Sequence, residues 1–270
     1  MKRPRILVFD SGLGGLTVFR AVAALRPDAD YAYLADDAGF PYGPLAPDVL
    51  IGRVMEIVGA FVRRDRPDLV VIACNTASTL VLPPLRGAFP ALPFVGTVPA
   101  IKPAAASSRS KMISVLATPG TVARDYTRDL IAAHAADCSV ALVGAPRLAP
   151  IAEDFLRGLP VDEGEIAAEI SRCFVEEDGR RTDSIVLACT HYPLLREIFE
   201  RHAPWPVDWI DPAPAIARRV ASLLGDPSHG TRGARQAIFS SGIHPDAALE
   251  RALLGFGLVC RQPGRSALCA

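Results

Sequence analysis

The sequence predicts an α/β protein of two similar lobes, each built on a mainly parallel β-sheet, and three observations support this. Short runs of Val, Ile and Leu alternate with amphipathic helical patterns, an order typical of parallel strands covered on both faces. The same alternation begins again after a basic, Ser-rich segment at 107–111. Two related stretches, PDLVVIACNTAS and TDSIVLACTHYP, end strands in the two halves. Together these features predict a duplicated architecture.

The first half of the chain contains three predicted strands and two predicted helices. Continuous apolar runs at 5–10, 28–36 and 67–74 are typical of strands that are buried on both faces. The segments at 16–25 and 47–65 repeat apolar residues every three or four positions, which predicts amphipathic helices. Alternation of this kind predicts a parallel sheet.

The second half repeats this order. Strands are predicted at 112–120, 138–144 and 184–189, and helices at 121–135 and 163–176. We therefore divide the chain into a first lobe of residues 1–97 and 208–270 and a second lobe of residues 98–207. The two stretches that end in Cys74 and Cys189 then belong to different lobes.

Composition argues against several classes of partner. Lys and Arg total 29, as do Asp and Glu, so no net charge attracts nucleic acid or an anionic membrane. The first apolar run meets Asp10 too soon for a secretory signal, and no run is long enough to span a membrane. The six cysteines form no CxxC pair, which favours free thiols in a reducing compartment. We expect a cytoplasmic protein.

Cys74 and Cys189 each end a predicted strand, at the sheet edge where open α/β sheets bind ligands. Polar residues follow both cysteines, in the sequences CNT and CTH. Packing in a core does not need such neighbours, whereas a small polar ligand could bind to them. Buried core thiols, metal ligands and catalytic thiols all remain open at this point.

The metal and hydrolase alternatives make different demands. A metal site formed by Cys74, Cys189 and His191 would have no fourth ligand at a recognisable spacing. A Cys–His hydrolase could pair Cys189 with His191, since residues i and i+2 share one face of a strand. That reading leaves the second cysteine unexplained.

The segment DSGLGG at 10–15 lies between a strand and a helix. It fails the dinucleotide-binding fingerprint, because the third glycine position is occupied by Thr17. A glycine-rich turn before a helix could still bind an anion such as a carboxylate. The competing interpretation is that Asp10 and Ser11 cap the helix. An anion-binding module therefore remains a further alternative.

Six motifs occur in a fixed order along the chain: DSGLGGLTV, DDAGFPYGP, ACNTAS, VGTVPAIKPA, ATPGTV and ACTHYPLL. As an ordered set they resemble the glutamate racemases, cofactor-independent enzymes that make D-glutamate for peptidoglycan. The resemblance covers residues 5–240, and His191 in ACTHYP resembles this family more than the related aspartate racemases. It implies two Rossmann-like lobes, an active site in the cleft between them, no cofactor or metal, and a homodimer that acts on L- and D-glutamate.

The resemblance also implies roles for individual residues. Catalysis is assigned to Cys74, Cys189, Asp10, His191 and Glu153. Substrate contacts are assigned to nine others: Ser11, Asp36, Tyr42, Gly43, Asn75, Thr76, Thr118, Thr121 and Thr190. Residues 37–40 depart from the usual pattern of the family, and the chain diverges from it after residue 243.

Two cysteines suit racemisation without a cofactor. The α-proton leaves one face of the carbon and another arrives on the opposite face, so two opposed bases avoid moving one base around the substrate. A thiolate abstracts and a thiol donates, and the ordinary cysteine pKa of about 8.5 makes both forms accessible. A protonated His191 would favour a thiolate on Cys189, whereas Asp10 suits a proton relay or a partner for the substrate ammonium. Neighbouring donors would stabilise the carbanion in a closed cleft.

Overall fold

The computed structural model describes residues 3–227 and 232–261. Its strands are β1 (Arg5–Asp10), β2 (Asp30–Ala35), β3 (Leu69–Ile72), β4 (Phe94–Gly96), β5 (Met112–Ala117), β6 (Ser139–Gly144), β7 (Glu176–Glu177), β8 (Arg180–Arg181), β9 (Ser184–Ala188), β10 (Asp208–Ile210), β11 (Arg235–Phe239) and β12 (Val259–Cys260). Six parallel strands form the first sheet in the order β12-β11-β2-β1-β3-β4. Four form the second in the order β10-β9-β5-β6. β7 and β8 form a separate antiparallel hairpin.

Helices connect and cover these strands. They are α1 (Leu16–Leu25), α2 (Pro47–Asp65), α3 (Asn75–Ala88), α4 (Ile101–Ser107), α5 (Pro119–Val122), α6 (Asp125–His134), α7 (Leu148–Leu156), α8 (Glu163–Ser171), α9 (Arg196–His202), α10 (Ala213–Leu224) and α11 (Ala247–Gly255). The parallel strands are buried on both faces as a result. Neighbouring residues of β1 illustrate this, since Leu7 packs with α2 and α3 on one face and Val8 packs with α1 and α10 on the other.

The two sheets share one topology. The order β2-β1-β3-β4 in the first sheet corresponds to β6-β5-β9-β10 in the second. β3 and β9 therefore occupy equivalent positions, and the chain leaves them at Cys74 and Cys189. The predicted fold, two pseudo-symmetric α/β lobes with mainly parallel sheets, is confirmed.

Most predicted elements of the two halves are present, with differences at their ends. The predicted bounds 5–10, 16–25 and 47–65 agree with β1, α1 and α2, whereas β2 and β3 are shorter than predicted. The helix predicted at 121–135 is in fact two helices, and the first begins within the strand predicted at 112–120. Pro119 explains this start, because proline cannot donate to a strand ladder but fits the first turn of a helix. The helix predicted at 163–176 ends at Ser171.

The sequence prediction lacks α3, and two adjacent prolines within it, Pro83 and Pro84, explain why. A proline inside a helix removes a backbone hydrogen bond and crowds the preceding turn. In this helix Val81, Leu82 and Leu85 are buried in the core beside the first sheet. Burial of that apolar face outweighs the poor helix propensity.

One lobe boundary needs correction. Asp208–Ile210 pairs with β9, so this segment belongs to the second sheet, although the sequence division assigned residue 208 onwards to the first lobe. The chain returns to the first lobe only at α10, whose residues Ile216 and Val220 pack in the first lobe's core. Residues 1–2, 228–231 and 262–270 of the predicted first lobe lie outside the described residues.

Membrane-spanning helices are absent from the part of the chain that the structure describes. None of the helices there combines the length and the apolar character that a bilayer crossing requires.

Leu7→Ala tests the importance of the β1 core. Leu7 is fully buried in the middle of the first sheet, so the truncation leaves a cavity and is expected to lower the free energy of unfolding by about 2–5 kcal/mol. Leu254→Ala is the matched control, because Leu254 on α11 is 62% exposed and is expected to change stability by about 0.5 kcal/mol or less. Urea unfolding followed by circular dichroism measures both, and equal losses would contradict the assignment of the core.

Candidate active site

The carboxyl ends of strands from both sheets surround one pocket between the lobes. Segments that follow β1, β2, β3, β5 and β9 supply most of its wall. The lining residues are Ser11, Phe40, Pro41, Tyr42, Gly43, Cys74, Asn75, Thr76, Thr118, Ala149, Cys189, Thr190 and His191. The two cysteines that follow equivalent strands therefore line the same pocket.

This pocket is small, with a cavity of about 20 Å³, which is room for about one water molecule. A larger cavity of about 220 Å³ lies at the opposite end of the first sheet, near the start of β1 and β2. Asp65 and Arg261 at its wall pair with each other at 3.3 Å. The described residues that line it include no cysteine and no histidine. Both strand-end cysteines and His191 line the smaller pocket.

Cys74 lies between β3 and α3, where it is the N-cap residue of the helix. The hydroxyl of Ser11 donates a hydrogen bond to its sulfur at 3.7 Å. Burial, together with the charge of Asp10, raises the pKa of the Cys74 thiol to about 12, although hydrogen bonds from the Ala77 backbone and Ser11 oppose the shift. Cys74 is therefore a protonated thiol near neutral pH.

Cys189 and His191 form a second acid–base group on the opposite lobe. The ring nitrogen Nδ1 of His191 lies 3.7 Å from the Cys189 sulfur, and Nε2 lies 2.8 Å from Oε1 of Glu153. Burial acts against the charged ring, but the hydrogen bonds with Cys189 and Glu153 outweigh it and raise the pKa of His191 well above its ordinary value. The resulting imidazolium donates from both nitrogens and stabilises negative charge on the Cys189 sulfur.

Glu153 on α7 also joins the two lobes. Its Oε1 accepts a hydrogen bond from the backbone N–H of Leu13 at 2.6 Å. Glycines permit this contact, because a Cβ on Gly12 would lie 2.3 Å from the same oxygen and one on Gly14 would lie 2.5 Å from Nδ1 of His191. The DSGLGG turn thus lets Glu153 and His191 approach its backbone closely. Two of its N–H groups, those of Gly12 and Leu13, already donate to carboxylates of the protein.

The backbone N–H of Gly14 lies 3.2 Å from Nε2 of His191, the nitrogen that also faces Glu153. One nitrogen cannot donate to the carboxylate and accept from the amide at the same time. We favour the donating form, because the raised pKa of His191 keeps both ring nitrogens protonated.

Asp10 ends β1 and is completely buried behind the pocket. Its carboxylate accepts hydrogen bonds from the Gly12 N–H and from the Thr190 hydroxyl, each at 3.1 Å. Burial raises the pKa of Asp10 to about 6, and the charge of His191 together with backbone N–H groups limits the shift. Asp10 can therefore both hold and release a proton near neutral pH.

Hydroxyl and amide groups line the remaining side. Thr76 from the first lobe lies 3.1 Å from Thr118 and 3.2 Å from Thr121 of the second lobe, measured between their hydroxyl oxygens. Asn75 is 2% exposed, and neither its amide oxygen nor its nitrogen has a hydrogen-bond partner within 3–227 and 232–261. A buried amide without partners is unfavourable, so it is available to a ligand.

Asp36, like Thr121, is a predicted substrate contact that is completely buried and is not among the described residues that line the pocket. Its carboxylate accepts hydrogen bonds from Tyr42, Arg53 and Ser240. Asp36 therefore holds other residues in place and has no oxygen directed at a ligand.

Sequence reasoning missed four residues at or near the pocket. Phe40 and Pro41 line it, and the Phe40 ring lies 5.4 Å from the His191 ring between centroids. Both belong to the DDAGFPYGP motif, which offered a signal. Ala149 and Arg53 lie on α7 and α2, and neither residue carried a local signal.

The structure also bears on the metal alternative. Within the described ranges, no group of three or more His, Cys, Asp or Glu side chains is arranged to hold a metal ion. Of the three residues that the sequence left open as ligands, Cys74 contacts Ser11, Cys189 contacts His191, and His191 also contacts Glu153.

Comparison with known proteins gives a consistent result. The family model described as Asp/Glu/Hydantoin racemase matches residues 17–220. A glutamate racemase of Brucella canis is 56% identical over 260 residues, covering 95% of this chain and 93% of the relative. One of Sinorhizobium fredii is 55% identical over 258 residues, covering 95% and 96%. The crystal structure of Escherichia coli glutamate racemase with L-glutamate and the activator UDP-MurNAc-Ala is 38% identical, with a TM-score of 0.87 and coverage of 96% and 97%.

Asp10→Asn tests the cost of burying the Asp10 charge. The pKa of Asp10 is raised from 3.8 to about 6 in the folded protein, so the native state binds this proton more tightly than the unfolded chain. The stability that the proton confers is complete below pH 3.8 and is lost as the pH rises to about 6. Because an amide mimics the protonated carboxyl, the variant is expected to exceed wild type by about 3 kcal/mol in unfolding free energy at pH 7.

The difference is expected to shrink as the pH falls from 7 towards 4. Chemical denaturation across this range measures it, and the exposed Asp154→Asn on α7 serves as the control that should lack the trend. A difference that grows as the pH falls would contradict the prediction.

Proposed function

Because the chain belongs to the Asp/Glu/Hydantoin racemase family, we propose that it interconverts L- and D-glutamate with two cysteines, one removing the α-proton and the other adding a proton to the opposite face. One observation carries the proposal: Cys74 and Cys189 come from equivalent strands of different lobes and line one pocket. A substrate held between the lobes then has a thiol on each side. A single base would instead have to move around the α-carbon.

The two cysteines have different surroundings. Cys74 rests as a thiol, since its pKa is raised to about 12. Cys189 faces the His191 imidazolium, which stabilises negative charge on its sulfur. In one direction Cys189 abstracts the α-proton and Cys74 donates one to the opposite face. In the other direction the two roles are exchanged.

Asp10 makes the exchange feasible. A negative Asp10 disfavours a thiolate on Cys74, and this charge contributes to the raised pKa of the thiol. If Asp10 takes up the proton that leaves Cys74, that penalty disappears. A pKa of about 6 allows Asp10 to hold the proton briefly and return it. The Thr190 hydroxyl keeps the carboxylate in place.

The donors that surround the pocket suit a carboxylate substrate. Asn75 and Thr76 open α3, and the N-terminus of a helix favours negative charge. The Asn75 amide has no protein partner within the described ranges, and the Thr76 hydroxyl meets only other hydroxyls across the pocket. We assign these groups, together with Thr118 and the Tyr42–Gly43 backbone, to the carboxylates of glutamate and to the charge that develops during proton transfer.

Substrate entry requires the lobes to move apart. A cavity of about 20 Å³ cannot accept glutamate, which has ten heavy atoms. Opening breaks the hydrogen bonds that cross between the lobes, including Glu153 to Leu13 and Thr190 to Asp10. Closure around the substrate re-forms them and excludes water, which strengthens each electrostatic interaction in the site.

The resemblance to glutamate racemases supports three wider proposals: supply of D-glutamate for peptidoglycan, action in the cytoplasm, and assembly as a homodimer. Light scattering during gel filtration tests the dimer. Aspartate is the nearest alternative substrate, and incubation with L-glutamate or L-aspartate in D₂O separates the two. Loss of optical rotation with α-deuterium uptake is expected for glutamate.

Cys74→Ala and Cys189→Ala are each expected to lower racemisation in both directions by about 10³-fold or more, because each removes one of the two bases. Circular dichroism of the α-deuterated and protonated glutamate pools measures the rates. Cys173→Ala is the matched control, since Cys173 is a buried free thiol of the second lobe that does not line the pocket.

Near-normal turnover with either pocket cysteine removed would contradict the two-base proposal. It would favour a Cys–His hydrolase or amidotransferase, which needs one cysteine and forms a thioester on it. Mass spectrometry of the protein after a substrate pulse detects that adduct.

Asn75→Ala is expected to raise the KM for glutamate by about tenfold or more without lowering stability, because the amide has no protein partner to lose. Asn75 is the only asparagine in the sequence, so selective ¹⁵N-asparagine labelling gives one side-chain amide signal. Glutamate should shift that signal. An unchanged signal with an unchanged KM would remove Asn75 from the binding site.

A further inference from the structure

We propose that Arg53 on α2 is a positioning residue for this reaction: it holds Asp36, which in turn holds Tyr42 and the pocket wall formed by Pro41–Gly43. This inference rests on the proposed function for its kinetic consequences. The structural part of the inference does not depend on the substrate: a helix outside the pocket controls the position of the pocket wall.

The link begins with a two-pronged ion pair. The guanidinium of Arg53 donates from Nε and Nη2 to the two oxygens of the Asp36 carboxylate. Asp36 has no exposed surface, whereas Arg53 is 30% exposed. A buried carboxylate is costly without a positive partner, and the planar fork of arginine also fixes its orientation.

Asp36 transmits this orientation to the pocket. The Tyr42 hydroxyl donates to Oδ2 of Asp36, the same oxygen that Nε of Arg53 contacts. Tyr42 is 2% exposed and lines the pocket beside Pro41 and Gly43. The position of this wall therefore depends on where the carboxylate is held.

The pocket wall is packed closely against its neighbours on both sides. On its second-lobe side, a Cβ on Gly120 would lie 2.6 Å from the carbonyl oxygen of Gly43, so the two backbones are in close contact. Gly39 similarly lies against Arg53, where a Cβ would come within 2.3 Å of Nε. A change at Arg53 is therefore expected to displace the wall, because no slack separates these elements.

Further contacts hold Asp36 from two other elements. Its backbone N–H donates to the carbonyl of Asp10 at the end of β1, at 2.8 Å. After β11, the Ser240 hydroxyl donates to the Asp36 carboxylate, and Ser241 donates to the neighbouring Asp37. Arg53 supplies the positive charge in this cluster. Among the described residues, the hydrogen bonds of this cluster involve neither Cys74 nor Cys189.

Kinetics of Arg53→Met provide the first test. Loss of the ion pair is expected to raise the KM for both enantiomers of glutamate by about tenfold while kcat stays within about threefold, because the wall moves and the bases do not. Arg53→Lys should give an intermediate KM, since lysine keeps the charge but not the fork. Arg63→Met on the exposed part of α2 is the matched control and should leave both constants unchanged.

The second test does not depend on turnover. Displacement of the wall is expected to speed alkylation of Cys74 and Cys189 by iodoacetamide in Arg53→Met, but not in Arg63→Met. Peptide mass spectrometry follows each thiol, with the buried Cys173 as an internal reference. If wild type fails to racemise glutamate, the proposed function fails, yet the alkylation rates still decide the inference.

Tyr42→Phe tests whether the effect of Arg53 reaches the pocket through Asp36 and Tyr42. It also replaces Arg53→Met as the test variant if Arg53→Met does not fold. It removes the hydroxyl that contacts Asp36 and is expected to raise KM and alkylation in the same way. The double variant Arg53→Met/Tyr42→Phe should be no worse than the more severe single variant, because both break one chain of contacts. Additive effects, a loss confined to kcat, or unchanged KM and alkylation in folded Arg53→Met or Tyr42→Phe would overturn the inference.

Discussion

The structure depends on burying ionisable groups around a small pocket and giving each one a partner. His191 illustrates the constraint, because a buried imidazolium is unfavourable unless carboxylate and sulfur atoms surround it. Glu153 provides one of those partners and also binds the backbone of Leu13 on the other lobe. The carboxylate that helps to keep the ring charged therefore also connects the two lobes.

A nearly symmetric scaffold thus carries an asymmetric site. The two sheets share one strand order, and equivalent strands end in Cys74 and Cys189. Their neighbours break the equivalence: burial beside Asp10 raises the pKa of the Cys74 thiol to about 12, whereas His191 faces the Cys189 sulfur. A symmetric pair of thiols would hold the proton equally well on both sides. The asymmetry gives the two sulfurs different electrostatic surroundings.

How far the sequence led can be judged from particular elements. Strands such as β1 can be recognised from the sequence alone, because burial on both faces requires a continuous hydrophobic segment. The repeated Ala-Cys stretch indicated which strands of the two lobes are equivalent. α3 was hidden by Pro83 and Pro84, since propensity carries no information about the face a helix buries. The role of Asp36 was also beyond the sequence, because its partner Arg53 reaches it only through the packing of α2. Motifs name the residues at a site, whereas tertiary packing decides which of them meet the substrate.

The two crossings between the lobes have a mechanical meaning. The chain leaves the first lobe after β4 and returns after β10, and these strands hold equivalent edge positions in their sheets. α10, which follows the second crossing, packs beside β4, so the two crossings lie close together. Two neighbouring covalent connections allow rotation about the line that joins them and resist sliding or twisting. In the opening that the proposed function requires, these two connections would act as a double hinge between the lobes.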